Sequence, residues 1–358
     1  GGLGAAFFYR QKFGPDTPIL ILDNHDDFGG HAKRNEHTID GRQLITYGGS
    51  QTLVEPKEAP EAIKTLFEGV GIDLTRFDTA FNQGFYSDHG LGATTYFNAK
   101  QFGRDTVVRH PFGNYYNYIE GLPGAAISDE EAVAQTPLSK RGQRQLLHVL
   151  KSGLHSLDVS EDDLPEYIKT HNYFDYLTQT LGVDDPQVLY MARHSAIDWS
   201  DASAELLTIK KAKEAGALGF APVKVYDADH PYIHHFPDGN AGVARAIVNH
   251  LIPSIAEGTT AESLVGAKFD YGQLDRPNHP SRIRLNSTVV DVHHSPDKTE
   301  KERVSVHYMR GDKAHKISAS HVVMACHNAM VPHIVSDLPS EQANALSEQL
   351  KSPLVYTS

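Results

Sequence analysis

Gly2-Leu3-Gly4-Ala5-Ala6-Phe7-Phe8-Tyr9-Arg10, then Gly14-Pro15-Asp16, then Pro18-Ile19-Leu20-Ile21-Leu22-Asp23 is the run on which the fold turns. The first piece opens at glycine and carries small residues, so it reads as a helix that lies close to its neighbour. Gly14-Pro15-Asp16 breaks that helix. The third piece is an uninterrupted apolar run of strand length closed by an acid, the pattern of a buried parallel strand. Helix, turn, buried strand and terminal acid form the second half of a βαβ unit.

Outward from this run, residues 24–50 read as glycine-rich and irregular, with Gly29-Gly30 and Gly48-Gly49 as paired breaks. Ala62, Ile63, Leu66, Phe67 and Val70 have helical spacing within 57–71. Between 85 and 230, amphipathic patterns over 143–157 and 201–215 alternate with Tyr- and Gly-rich connectors. Asp238-Gly239-Asn240 precedes a helix expected over 241–256, with Val243, Ala244, Ile247, Val248, Leu251 and Ile252 as its apolar stripe and Pro253 bending or ending it. Asp238 stands where a capping carboxylate would satisfy free helix N–H groups. Strands are expected at Ile283–Leu285 and Val289–Val292, followed by a hairpin and a strand at Val322–Ala325. The hairpin pairs Val304–Tyr308 with Lys316–Ala319 around Arg310-Gly311-Asp312-Lys313. Its Gly-Asp turn accounts for the Arg-Gly-Asp triplet without an adhesion role.

With 358 residues, 40% hydrophobic and 22% charged, the chain has globular chemistry and length for two domains or one elaborated domain. The net charge of −12, from 45 acids against 33 bases, excludes a basic nucleic-acid footprint. Such a surface draws cations, polyamines among them, and also serves solubility. No apolar run approaches the ~20 residues a membrane span needs, so stable insertion is not expected. A single cysteine, Cys326, excludes an intrachain disulfide and reads as a small buried hydrophobe. Among 21 histidines the densest group is Asp227-Ala228-Asp229-His230-Pro231-Tyr232-Ile233-His234-His235. Pro231 breaks any helix that would align His230 with His234, and no second ligand pair has metal-site spacing, so no metal is expected.

A dinucleotide site needs a tight glycine turn, close backbone approach to a pyrophosphate and an acid for the ribose. Gly2 fits the last glycine of such a fingerprint, Ala6 lies four residues on, and Asp23 closes the next strand 21 positions after Gly2. The pyrophosphate would rest on the N-terminus of the first helix. After the acid, Asn24-His25-Asp26-Asp27-Phe28 leads to the second pair, Gly29-Gly30. Nicotinamide-binding domains do not require that pair, whereas an extended FAD does.

Here the chain resembles the FAD-dependent amine oxidase and phytoene desaturase group. It is most similar to the bacterial spermidine dehydrogenase family over Ile19–Glu36, Tyr47-Gly48-Gly49-Ser50-Gln51, His235-Phe236-Pro237-Asp238-Gly239-Asn240-Ala241 and Leu354-Val355-Tyr356-Thr357. The resemblance implies an α/β fold: a Rossmann-like FAD-binding domain of the amine oxidase and glutathione-reductase type with an inserted, mainly helical α+β substrate region. The implied segments are 1–56 and 231–335 for the FAD domain, 57–230 for the substrate or cap insertion, and 336–358 for the start of a further substrate domain. Carried over residue by residue, Gly2, Ala6, Asp23, Asn24, Gly29, Gly30, Gly48, Gly49, Ser50, Val289 and Ala325 would line the cofactor. His31 stands where relatives have arginine, and Arg34 is near enough to substitute. The first fingerprint glycines are expected upstream of Gly1 and the last FAD segment beyond Ser358.

The implied chemistry is hydride transfer from the carbon beside nitrogen of a small cationic amine to flavin N5, giving an imine that hydrolyses to an aldehyde. The electron acceptor is left open. Relatives are exported, which points to the periplasm, with the cytoplasm also open. Glu55 is the candidate anchor for a distal ammonium, its bland reading being a solvated loop acid. Trp199, flanked by Asp198 and Asp201, is either a cationic-pocket wall or core. Rival readings are another FAD oxidoreductase of the group, a nicotinamide-only dehydrogenase and a non-catalytic FAD-binding homologue.

Overall fold

The structure, a computed structural model, describes residues 1–53, 56–80, 82, 84–113, 127–195, 207–220, 234–295 and 303–349. The chain divides into two units, Gly1–Phe77 with Ile233–Ser358, and Asp78–Tyr232. In the first unit, helix α1 (Gly2–Phe13) stops at Gly14 and buries Ala6 and Phe7. Strand β1 (Ile19–Leu22) follows, its four side chains half-buried rather than buried. The stretch 24–50 is not wholly irregular. It holds an antiparallel hairpin of β2 (Arg34–Ile39) and β3 (Arg42–Tyr47), in register from Arg34↔Tyr47 to Ile39↔Arg42. Asp40 and Gly41 make the turn with φ of 51° and 75°, the backbone that matches strand twist. Arg34-Asn35-Glu36-His37-Thr38 is polar on both faces, so no apolar alternation marks the strand. Helix α2 (Glu61–Gly69) buries Leu66 and Phe67.

In the second unit, β4 (Thr95–Phe97) pairs antiparallel with β5 (Thr106–Val108). Phe97 and Val108 join Leu146, Tyr173, Leu177 and Leu218 in one apolar core. Helix α3 (Lys140–Ser152) begins where the Ser139 hydroxyl accepts from the Gly142 N–H at 3.0 Å and ends at Gly153, short of the expected 157. Helix α4 (Ile209–Glu214), opened by Thr208, lies within the expected 201–215, of which 201–206 fall outside the described residues. The buried Tyr173 hydroxyl donates to the Leu218 carbonyl at 2.7 Å, which satisfies the one polar atom of that ring.

Returning to the first unit, α5 (Ala241–Leu251) is the expected helix, ended rather than bent by Pro253. It is buried nearly all round, Arg245 and Asn249 included, so it is a central element rather than an amphipathic surface helix. Burying Ile247, Val248 and Leu251 contributes about 1.5–3 kcal/mol each. Helix α1 packs on α5, and Arg10 donates to the Leu251 carbonyl at 2.9 Å, satisfying a free C-terminal acceptor. Strand β6 (Ser281–Arg284) runs parallel to β1, from Ile19↔Ser281 to Leu22↔Arg284. Strands β7 (Thr288–His294), β8 (Val304–Arg310) and β9 (Lys313–Ala319) form an antiparallel meander. Its last turn is Gly311-Asp312, between the paired Arg310 and Lys313, and it absorbs the Arg-Gly-Asp triplet. No helix among the described residues is long and apolar enough to cross a membrane.

Asp275 ties β6 to the meander. It accepts from Arg282 Nε at 2.8 Å and Arg284 Nε at 2.7 Å, while Arg284 also donates to the Tyr308 hydroxyl. Burial alone would raise its carboxyl, but the hydrogen bonds from Arg284 and Arg282 outweigh it and hold the group below the ordinary 3.8. A depressed carboxylate stabilises the fold above its ordinary value, and that stability is lost as pH falls through the folded value. Asp275→Ala is therefore expected to cost about 2 kcal/mol at neutral pH, the penalty shrinking in acid, as read from urea midpoints. Equal midpoints for variant and parent at pH 7 would refute the clamp.

Two expectations fail at 321–326. Val322–Ala325 is not a strand, because no described strand lies in its ladder, and Val323 is 65% exposed. An apolar run becomes a strand only when a neighbour takes its backbone hydrogen bonds. Cys326, at its end, is exposed rather than a buried hydrophobe.

Candidate functional site

The mouth of α1 has the chemistry of an anion seat. Its N-cap is Gly1, no side chain caps it, and its first turn carries no acid, so its leading N–H groups stay available. A Cβ built on Gly2 would stand 3.6 Å from Ala325 Cβ and 3.8 Å from Ile21 Cγ2. Those are ordinary contacts, so helix–strand packing does not by itself demand glycine there. They also place the helix mouth beside Ile21, two residues before Asp23, and beside Ala325. One oxygen of Asp23 accepts from the His25 N–H at 2.9 Å and lies 2.8 Å from His25 Nδ1. That leaves its second oxygen for another partner. Asn24 is exposed. Ser287 N donates to the Asp23 carbonyl and Asn286 N to the His25 carbonyl, each at 2.8 Å, so the end of β1 is fastened to the start of β7, where half-buried Val289 lies.

The two glycine pairs have local reasons. Gly29 and Gly30 have φ of 102° and 61°, and a Cβ on Gly29 would stand 3.0 Å from the Ala32 carbonyl oxygen and 3.3 Å from Ala244 Cβ of α5. Gly48 N donates to the Lys33 carbonyl at 2.8 Å. A Cβ on Gly49 would overlap the His31 carbonyl oxygen and stand 2.7 Å from His31 Nδ1. The second pair thus lets 48–49 lie directly on 31–33. Ser50 joins a third segment: its carbonyl accepts from Asn240 N at 2.9 Å, and its hydroxyl from Asn240 Nδ2 at 2.8 Å. Leu53 N donates to the His234 carbonyl at 2.7 Å. Segments 28–34, 47–53 and 234–245, far apart in sequence, therefore converge.

At their junction lies a buried charge cluster. Asp238 does not cap α5, whose N-cap is Asn240 without a side-chain bond. Instead its carboxylate, 0% exposed, pairs with Arg34 Nη1 at 3.2 Å. Burial pushes the Asp238 carboxyl above the ordinary range, although Arg34 and Arg245 pull it down. Arg34 also donates to the Val265 carbonyl at 2.6 Å and to Glu36, so its guanidinium is committed to internal partners. Arg245 lies 3.7 Å over the Phe269 ring and donates to the Ala267 carbonyl at 2.6 Å. Two buried acceptors here, Asp238 Oδ1 and Asn240 Oδ1, have no hydrogen-bond partner. A cleft of about 190 Å³ opens beside the cluster, lined in part by Asp27, Phe28, Arg34, Ala244, Arg245 and Tyr271. Burial, then the hydrogen bond to Asp27, raises the Tyr271 hydroxyl, which donates to Asp27 at 2.7 Å.

Glu55, Asp198, Trp199, Asp201 and 227–233 lie outside the described residues, so the amine-anchor candidates and most of the histidine-rich run have no place in this description. His234 of that run is buried. One cluster escaped the sequence reading: Asp291, His293 and His307 meet on the meander. The signal was an acid in the expected strand Val289–Val292 with a histidine two residues on, and a histidine in the next expected strand, Val304–Tyr308.

No family model matches the chain, and no curated protein matches it.

Proposed function

We propose that the first unit is a Rossmann-like FAD-binding domain of the amine oxidase type and that the protein oxidises a C–N bond of a small polyamine such as spermidine. The observation that carries this reading is the uncapped mouth of α1 beside a parallel strand that is followed directly by Asp23. The donor set suits the cofactor. The α1 N–H groups offer hydrogen bonds and dipole to a pyrophosphate, and the spare Asp23 oxygen accepts from a ribose hydroxyl. Gly29-Gly30 lets the chain turn sharply close to α5, and the Val289 backbone, fastened next to Asp23, is at hand for an adenine edge. The resemblance would set Gly48, Gly49 and Ser50 along the flavin ring. Bound flavin would supply the hydride acceptor for the carbon beside the amine nitrogen. The net charge of −12 favours approach of a cationic substrate over an anionic one.

The test is FAD titration followed by flavin absorbance near ~450 nm, with an artificial acceptor reporting turnover. The parent chain is expected to bind FAD saturably, and Asp23→Ala to weaken it about tenfold, the worth of one lost ribose hydrogen bond. Equal flavin content in parent and variant would remove Asp23 from the site. Spermidine is expected to reduce the acceptor, and turnover of an unrelated substrate with none of any polyamine would sink the substrate assignment.

A further inference from the structure

Strands β7 and β8 gather two imidazoles and a carboxylate on one face of the meander. Asp291 and His293 are two residues apart on β7, and side chains two apart in a strand point the same way. His307 on β8 is the direct cross-strand partner of Asp291. Asp291 Oδ2 lies 2.7 Å from His293 Nδ1 and 2.9 Å from His307 Nδ1. One ligand atom from each of the three residues falls within 4.8 Å of the others. We propose that Asp291, His293 and His307 form a binding site for a divalent transition-metal ion of the zinc type, which nothing in the flavin reading requires.

The geometry is close to what such an ion needs. With bonds of about 2.0–2.2 Å to nitrogen and oxygen, neighbouring tetrahedral ligands stand ~3.4 Å apart. The Asp291–His293 and Asp291–His307 spacings of 2.7 and 2.9 Å reach that by opening about 0.5–0.7 Å, with the ion taking the place of the two N–H protons. The set of two imidazoles and one carboxylate is the borderline-soft mixture that favours zinc and its neighbours over magnesium or calcium. All three side chains are partly exposed, 27% for His293, 32% for Asp291 and 37% for His307, so the face is reachable and leaves positions for water.

The support is rigid. Val292 bridges Val335 in parallel, and Ser336 N donates to the Val292 carbonyl at 3.2 Å. A register shift between Val289 and Asp291 adds local twist where Asp291 meets His307. Lys316, the partner of His307 on β9, is exposed and stands on the same face. Its ammonium works against a second cation and favours a single ion.

Isothermal titration of the purified chain with Zn²⁺ and the visible spectrum of a Co²⁺ titration test the site together. The parent should bind one equivalent with a dissociation constant of about 10 µM or tighter, the two nitrogens entering the cobalt coordination sphere. His307→Gln and Asp291→Asn should each weaken binding at least about tenfold, while His37→Gln, an exposed histidine on β2, should leave it unchanged. Zinc should raise the melting temperature of the parent and not of His293→Gln/His307→Gln, whose circular dichroism establishes that it is folded. No binding by the parent, or equal binding by parent, His307→Gln and Asp291→Asn, overturns the proposal.

Discussion

Arg34→Ala is expected to lower stability by about 3–5 kcal/mol, because it leaves the Asp238 carboxylate buried without its partner. The guanidinium serves Asp238, Glu36 and the Val265 carbonyl from one planar fork and is only 9% exposed. Lysine cannot reach three such acceptors, so Arg34→Lys should recover only part of the loss. The pH dependence has a definite sign. Burial already holds the folded Asp238 above the ordinary 3.8, so its contribution favours the folded chain in acid and is lost as pH rises through the folded value. Removing Arg34 raises that value further, so the deficit should be full at pH 7 and shrink as pH falls towards ~4. Urea unfolding at the two pH values decides the matter. A deficit below ~1 kcal/mol at neutral pH, or one that grows in acid, would show that the ion pair does not hold this junction.

Gly239→Ala is expected to cost about 3 kcal/mol. Part is conformational: Gly239 has φ of 63°, and an L side chain in that region costs about 1–2 kcal/mol. Part is steric: a Cβ would overlap the Ser50 carbonyl oxygen and stand 2.7 Å from Tyr47 Cβ. Backbone on one side and a strand residue on the other leave little room to yield, which adds about 1–3 kcal/mol. Gly182→Ala is the matched control. Its φ is 67°, but nothing lies within 4 Å of the added carbon, so about 1 kcal/mol is expected. Because Ser50 follows Gly48-Gly49, displacement at 239 should also lower FAD affinity at the proposed site, whereas Gly182→Ala should not. Similar unfolding midpoints for the two variants would contradict the close approach of 47–50 to 238–240.

The sequence carried the elements that have a strong apolar period or sharp punctuation. Helix α1, strand β1, helix α5 and the β8–β9 hairpin follow from Gly14-Pro15, the run Ile19–Leu22, the stripe ending at Pro253 and the Gly311-Asp312 turn. The β2–β3 hairpin was hidden because its strands are polar on both faces, although Asp40-Gly41 announced the turn. Asp238 was misread because capping is a local rule, while its partner Arg34 lies 204 positions away. The convergence of 28–34, 47–53 and 234–245 was not legible, since no local pattern encodes a contact across such separations. The Asp291, His293 and His307 cluster was missed for the same reason: it depends on which residue sits opposite which, and strand register fixes that.

Among the described residues, strand β1 shares hydrogen bonds with β6 along one side only. Ile19, Leu20, Ile21 and Leu22 carry no charge, proline or bulge on the other side, the devices by which sheets discourage unwanted partners. Val322, Val323 and Met324, outside any described strand, are similarly uncharged. The isolated chain should accordingly be prone to self-association through intermolecular strand pairing, and a peptide able to lie along β1 should suppress it.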